Sequence, residues 1–534
     1  MNTSKNSIPL VPLRISCTTC SAAAFAAAFL SLALARAQNI EEIYFNNITS
    51  SESTYLNNPS NWYLDAEKSR PFDGALSGAN YGKYDAYVSS VHGQRPVLTA
   101  TLDNVTDLRN FNYFISEIYG YSDILVLGGS KTLSTYGDWN LNLKLNAYAR
   151  KENFQNVKLW DYAKIQIGGD WIINVDNNGS SGWFGLNILD GYDDRFGSFS
   201  VKGNLVLNSA QDKQIVFYTS NNSFTVEGAI DLNGNSWGVF RNSDPSTAGS
   251  LMRAIGGLGD ADGNGKGNGK LYIMNNKRDS EANLIFTNSK TYEFVGAFQA
   301  SANSGYKADL NISMIANDAK NGRQILRFSA LGTSWPDNFT VTDANINDVI
   351  VSNGRLDIGM HDAMKGGNLS LEGYSGNASD AVFSATGIFS GEEIGEVRFD
   401  SMTFSGGTIL FDISEIENDF ISISGGISKF SESSKIVFDI NISKQDLQIY
   451  LEALETDMKE WDLMSFKTDE SDFAISDIVL QTQTGIEGKL DFLEDVNSGL
   501  TTVRLSLGIV PEPAVAAAIF GALALACAAR RSKR

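Results

Sequence analysis

The chain of 534 residues has three cysteines, Cys17, Cys20 and Cys527, and none between Ser21 and Ala526. That long stretch therefore holds no disulfide and no thiolate zinc site, and its stability must come from packing and backbone ladders. Histidine is scarcer still. His92 and His361 lie far apart, and neither His92 nor His361-Asp362 has a G-x-S-x-G nucleophile motif beside it. Cations are also in deficit: 42 Lys and Arg against 62 Asp and Glu give a formal charge of −20. Such a surface repels phosphate backbones, which excludes nucleic acid as a partner. Convincing amphipathic helices are nearly absent. A hydrophobic fraction of 43% is nonetheless enough for a core.

The two ends read as addresses. Lys5 and Arg14 precede an apolar run, Ala22 to Leu34, which is followed by Ala35-Arg36-Ala37 and Gln38. A basic start, a short apolar run and an A-x-A site describe a secretory signal peptide over 1–37, cleaved between Ala37 and Gln38. Cys17 and Cys20 precede the apolar run, so a lipid attached at the cleavage site does not fit. The other end reads Val510-Pro511-Glu512-Pro513, then sixteen mostly apolar residues from Ala514 through Phe520 to Ala529, then Arg530-Arg531-Ser532-Lys533-Arg534. Sixteen helical residues span about 24 Å, a little short of a hydrocarbon core. The basic tail would hold its end in the cytoplasm and leave the body across the inner membrane. The prolines place an extended, protease-accessible segment outside it. Seven of the cations and none of the acids lie in residues 1–37 and 530–534, so the stretch between is more acidic than the whole.

The order Pro511-Glu512-Pro513, apolar helix, basic cluster resembles the PEP-CTERM sorting signal of Gram-negative bacteria. The resemblance covers residues 508–534. It implies an inner-membrane intermediate held by 514–529, export machinery and an exosortase as partners, and delivery to the cell surface or extracellular polymer. An ordinary tail anchor would look similar apart from the prolines. Family members differ widely in their bodies, so the resemblance implies a route and no activity.

Between the ends, runs of four to seven residues alternate apolar and polar, as in Lys164-Ile165-Gln166-Ile167 and Asn204-Leu205-Val206-Leu207. Asn, Gly, Ser and Asp punctuate them. Period-two alternation with β-branched residues predicts half-buried strands. A strand-Gly-strand unit recurs, with glycines at 169, 203, 228, 296 and 354. A glycine there lets the chain turn a corner where a side chain would clash. The expectation is an all-β fold: an elongated parallel β-helix or β-solenoid-like body with short caps, flanked by the signal peptide and the transmembrane sorting helix. A β-sandwich array with glycine bulges is the competing architecture. The expected divisions are an N-terminal cap over 38–121, repeats over 122–440 and a C-terminal cap over 441–507. The units at Val351–Ile358 and Gly406–Phe411 also resemble autotransporter passenger regions. No terminal run of membrane-barrel strands accompanies them, so the sorting tail stands in the barrel's place.

In the first cap, Trp62 and Tyr63 present two readings, core packing and sugar stacking. In the last, Ser443 with Asp446 forms a capping box for the one plausible helix, with Leu447, Leu451, Leu454 and Met458 on one face. Trp461–Phe466 is expected to follow as a strand.

Chemistry candidates are few. Asp260, Asp262 and Asn264, with Gly265, match the first half of a calcium loop. The twelfth position is Leu271, where such a loop needs a bidentate carboxylate, so any calcium would bind weakly and a plain Gly/Asn-rich loop between Leu258 and Leu271 is the favoured reading. No other cofactor is indicated. Asp190, Asp193, Asp194 and Arg195 cluster in one stretch, and Glu392, Glu393 and Glu396 in another that glycoside hydrolysis could draw on. Charges otherwise look scattered over turns. The expected function is a non-catalytic surface or matrix protein acting in adhesion, biofilm or envelope structure, with extracellular polysaccharide as a partner class. The alternative is a secreted β-helix carbohydrate-active enzyme, a polysaccharide lyase or glycoside hydrolase.

Overall fold

The computed structural model describes residues 41–510 apart from 46–53, 77–81, 92–95, 99–103, 119, 146–151, 177–182, 191–196, 210–214, 220–222, 243–251, 262–266, 276–279, 303–307, 330–340, 343–344, 361–363, 374–379 and 390. The signal peptide and the sorting signal expected at the two ends thus lie outside the described residues, save Val510 and the stretch just before it. Among the described residues no helix is long and apolar enough to cross a membrane.

The described chain is all-β and mostly parallel. Most strands pair parallel with a counterpart one repeat earlier and one repeat later; Val341–Thr342 instead pairs antiparallel with Thr291–Ala302. Lys164–Ile167 lies parallel between Thr132–Thr135 and Ser198–Val201. Trp171–Asp176 lies between Trp139–Leu145 and Leu205–Ser209. Glu152–Leu159 lies between Tyr121–Leu127 and Trp183–Asp190. Three strands therefore make one repeat here. At Ser223–Asp231 the first two ladders merge, because this one strand pairs with both Ser198–Val201 and Leu205–Ser209, and they divide again where Glu396–Phe404 pairs with both Phe420–Ile423 and Ile427–Lys429. Between these points, Asn345–Met360 serves both remaining ladders and bends between them at Gly354, whose φ of +84° few other residues tolerate.

Alternation dictates which residues enter the core. Trp139–Leu145 buries every second side chain. Because the ladders are parallel and in register, like residues stack on like. The register partners Trp139 and Trp171 have ring centroids 5.4 Å apart, and the partners Phe199 and Phe224 5.9 Å; Trp171 also meets Phe199 of the neighbouring ladder at 4.4 Å. Each such contact contributes about 0.5–1.5 kcal/mol beyond the area it buries.

The glycines expected at corners divide into two kinds. Gly169, Gly203 and Gly228 form one column with Gly137 before them, each of the three N–H groups donating to the preceding glycine carbonyl at 2.9–3.0 Å, while Gly137 N donates to Arg109 O. A Cβ on Gly203 would sit 2.2 Å from Asp170 Oδ1 and 2.7 Å from the Gly169 carbonyl. Close backbone approach, not a left-handed φ, demands glycine there. Gly296 and Gly354 are elsewhere. Gly296 abuts the Gly269 carbonyl on the other ladder, and Gly354 is the bend just described. Beside the glycine column runs a polar one. Asp138 N donates to Asn110 Oδ1, Asp170 N to Asp138 Oδ1, Asn204 N to Asp170 Oδ1 and Ala229 N to Asn204 Oδ1, at separations of 28, 32, 34 and 25 residues. A second column consists of asparagine amides: Asn174 Nδ2 donates to Asn142 Oδ1 at 2.9 Å, and Asn208 Nδ2 to Asn174 Oδ1 at 3.0 Å. Asn208 Oδ1 accepts in turn from Asn233. These columns read out register, since a slip by one residue would break every bond in them.

The parallel order ends in antiparallel pairing. Near the start, Glu41–Phe45 pairs with Trp62–Tyr63 antiparallel and with Tyr84–Val91 parallel. Parallel pairing runs on upstream of Tyr121, through Tyr84–Val91 and Val105–Ile118. At the far end, Met458–Lys467 and Ile486–Asp495 both pair antiparallel with Leu500–Ile509. Ile486–Asp495 carries Glu487, Lys489, Asp491 and Glu494, charges that oppose pairing with another chain. The helix Lys444–Leu454 is capped as expected, Ser443 Oγ accepting from Asp446 N at 3.0 Å. Leu447 and Leu451 are buried, but Leu454 and Met458 are exposed. Glu455 adopts φ +52° and ends the helix, so Met458 belongs to the next strand, which contains the expected Trp461–Phe466.

Candidate functional site

The strands after Thr291 bring charged residues to one outward face. In the register Ile325, Asp357, Ser384, Leu410 and Asp439 lie side by side, as do Arg323 and Arg355. Two guanidiniums on adjacent strands would repel. Asp357, only 1% exposed, stands between them: its Oδ1 accepts from Arg355 Nε and its Oδ2 from Arg323 Nε, both at 2.7 Å. Burial works against the Arg355 charge, yet Asp357 beside it holds the guanidinium pKa above its ordinary value.

Arg327 is equally buried. Its Nε donates to Glu293 Oε1 at 2.7 Å, and its Nη1 to Thr386 Oγ1 at 2.6 Å and Gly387 O at 2.8 Å. Nη1 also reaches the Glu392 carbonyl. Arg327 thereby ties Thr386, Gly387 and Glu392 to its strand. A second segment, 413–419, is pinned beside it. Asp419 Oδ1 accepts from Gly395 N and Oδ2 from Asp412 N, each at 2.9 Å. Burial drives the Asp419 carboxyl up to about 8, against the pull of those two N–H donors. Burial likewise raises Asp412 and Asp439. That shift favours the protonated form of Asp419, which would spare the cluster a further buried negative charge.

Glu392, Glu393 and Glu396 do not converge as a carboxylate pair. Glu392 Oε2 accepts from Phe389 N at 3.3 Å, inside its own turn. Glu393, 60% exposed, lies 3.8 Å from Arg327 and 3.9 Å from Arg323. Glu396 pairs with Arg398 at 3.0 Å on the other ladder. Of the acidic stretch 190–195, Asp190 ends a strand beside Leu159, and Asp193, Asp194 and Arg195 lie outside the described residues. Asp262, Asn264, His92 and His361 lie outside them too. Asp260 follows the strand Met252–Leu258, and Ala261 N next to it donates to Asp231 Oδ2 at 3.2 Å. Leu271 is fully buried in its strand, so the twelfth position of the calcium-like loop is a core residue. Trp62 is also core: its Nε1 donates to Leu56 O at 2.8 Å, and its ring meets Phe45 at 4.8 Å. Among the described residues no group of three or more His, Cys, Asp or Glu could hold a metal ion.

The arginine-aspartate cluster was the feature that sequence reasoning missed. Its signal is Arg323-x-x-x-Arg327 and Arg355-x-Asp357 at outward positions of strands one repeat apart. No protein-family model matches the chain, and no curated protein matches it.

Proposed function

We propose that the chain is an exported, non-catalytic β-solenoid of the cell surface or extracellular matrix. In this reading 1–37 directs export, 514–529 holds an inner-membrane intermediate, and Pro511-Glu512-Pro513 is the element a membrane protease recognises. The observation that carries it is the succession of parallel pairings from Glu41–Phe45 to Ile478–Gln481, closed at its ends by antiparallel strands. Each repeat stacked this way adds about 4.8 Å to a rod. Such a rod needs no disulfide. Fractionation tests the route: the full chain should reach the surface or medium, and a variant lacking 514–534 should stay in the periplasm. Equal export of both forms would defeat it.

A second reading, a secreted carbohydrate-active enzyme, is favoured by one observation. Arg323, Arg355, Asp357 and Glu393 gather on one outward face, as an enzyme on stacked strands would require. Against it, Asp357 and Arg327 are buried and already satisfied by partners. Incubation with pectin, alginate and host glycans, with and without calcium, separates the readings. Product release would establish the enzyme, and binding without turnover supports the matrix protein.

A further inference from the structure

An open cleft of about 650 Å³ lies at the beginning of the ladders, far along the chain from the arginine-aspartate cluster. That volume falls within the ~300–1,000 Å³ of small-molecule sites. Its walls come from three pieces of chain. The first strand supplies Glu41 and Glu42, the segment after Trp62–Tyr63 supplies Arg70 and Asp73, and Lys83 comes from just before the strand Tyr84–Val91. Leu64, Phe72 and Tyr84 form an apolar floor, with Phe72 and Tyr84 edge to face at 5.1 Å.

Several of the wall groups are paired before any ligand arrives. Arg70 Nε donates to Asp65 Oδ2 at 3.0 Å, and Asp65 also accepts from Ser69 N at 2.7 Å. Lys83 Nζ lies 3.2 Å from Glu41 Oε2 and 3.3 Å from the Tyr84 hydroxyl. Tyr44 donates to Glu42 Oε2 at 2.5 Å, and that bond, with burial behind it, lifts the phenol to about 12. Gly74 completes the floor: a Cβ there would lie 2.6 Å from the Phe72 ring and 3.1 Å from the Tyr84 hydroxyl.

Donors and acceptors of opposite sign thus alternate over a short distance above an apolar base. A ligand carrying net charge would gain from one wall and lose to the other. A neutral polyhydroxylated ligand can donate to Glu41, Glu42 and Asp73, accept from Arg70 and Lys83, and set its C–H face on the floor. We propose that this cleft is a binding site for a neutral oligosaccharide. The inference goes beyond the export route and does not depend on it.

Saturation-transfer NMR on the protein, purified as cells yield it, tests the site. The probes are maltotriose, cellotriose and mannotriose, compared with trigalacturonate and the trimer of glucosamine. At least one neutral trisaccharide should receive saturation. Asp73→Ala, on an exposed side chain, and Lys83→Ala should each weaken its binding at least tenfold while circular dichroism stays unchanged. Trigalacturonate and the glucosamine trimer should bind at least tenfold more weakly than that sugar. Absence of transfer to every neutral probe, equal binding of a charged one, or unchanged affinity in both variants would overturn the proposal.

Discussion

Gly203→Ala is the sharpest perturbation of the stacked-strand core. The new Cβ would lie 2.2 Å from Asp170 Oδ1 and 2.7 Å from both the carbonyl carbon and oxygen of Gly169. The backbone neighbour cannot yield alone, because Gly203 N donates to Gly169 O and Gly228 N to Gly203 O. The Asp170 side chain can move, but only by releasing Asn204 N, to which it is bonded at 2.6 Å. Overpacking costs about 1–3 kcal/mol. Loss of a charge-assisted hydrogen bond adds about 1.5 kcal/mol, so the expected destabilisation is about 2.5–4.5 kcal/mol. Gly128→Ala is the control. A Cβ there meets nothing closer than Trp160 Cβ at 4.0 Å, and its φ is not left-handed. That change should be neutral or stabilise by up to about 1 kcal/mol. Stacked repeats unfold by parts, so hydrogen exchange at 171–176 and 205–209 should be read beside urea midpoints. Equal protection in the two variants would refute the close-approach argument.

Asn174→Ala removes two amide bonds from the asparagine column and should cost about 2 kcal/mol by urea denaturation, with exchange rising in 139–145 and 205–209. Asp357→Ala leaves Arg323 and Arg355 facing each other without their shared carboxylate and should cost about 3 kcal/mol, the low end for a buried pair because both arginines are about a quarter exposed. Asp419 gives a pH dependence. Its folded pKa is raised to about 8, so between about pH 4 and pH 8 the folded state keeps a proton that the unfolded chain has lost. Stability should fall as pH rises through that window, by at most about 1.4 kcal/mol per unit, and level off above it. Urea midpoints at pH 5, 6.5 and 8 should show the fall, and Asp419→Asn should flatten it.

Local features were legible in the sequence and distant register was not. Alternation in stretches such as Lys164–Ile167 marks a strand whichever partner it takes. The glycines at 169, 203 and 228 were legible because their requirement is repeated one repeat apart in similar surroundings. Gly296 and Gly354 look the same in the sequence but do different work, because the repeat passes from three strands to two at Ser223–Asp231. The Ser443 cap was readable from four residues, whereas the exposure of Leu454 follows from the left-handed turn at Glu455, which no hydrophobic period reveals. Asp357 between two arginines needed the pairing of Arg323 with Arg355, a contact across a repeat whose length varies. For the same reason the sequence does not show whether Glu392, Glu393 and Glu396 converge, and in the fold they face different partners.

The parallel register is the claim on which the rest stands, and the thiol-free body allows one direct measurement of it. Ser200 and Thr225 are register partners on adjacent parallel strands. Their Cα atoms are about 4.8 Å apart, inside the ~4.4–6.8 Å window of a disulfide. With Ser200→Cys and Thr225→Cys together, mild oxidation should close an intramolecular disulfide, read as a loss of two hydrogens in the peptide mass. Ser200→Cys with Glu227→Cys, two residues out of register, should stay reduced. Oxidation of the second pair, with the first left open, would contradict the stacked parallel arrangement.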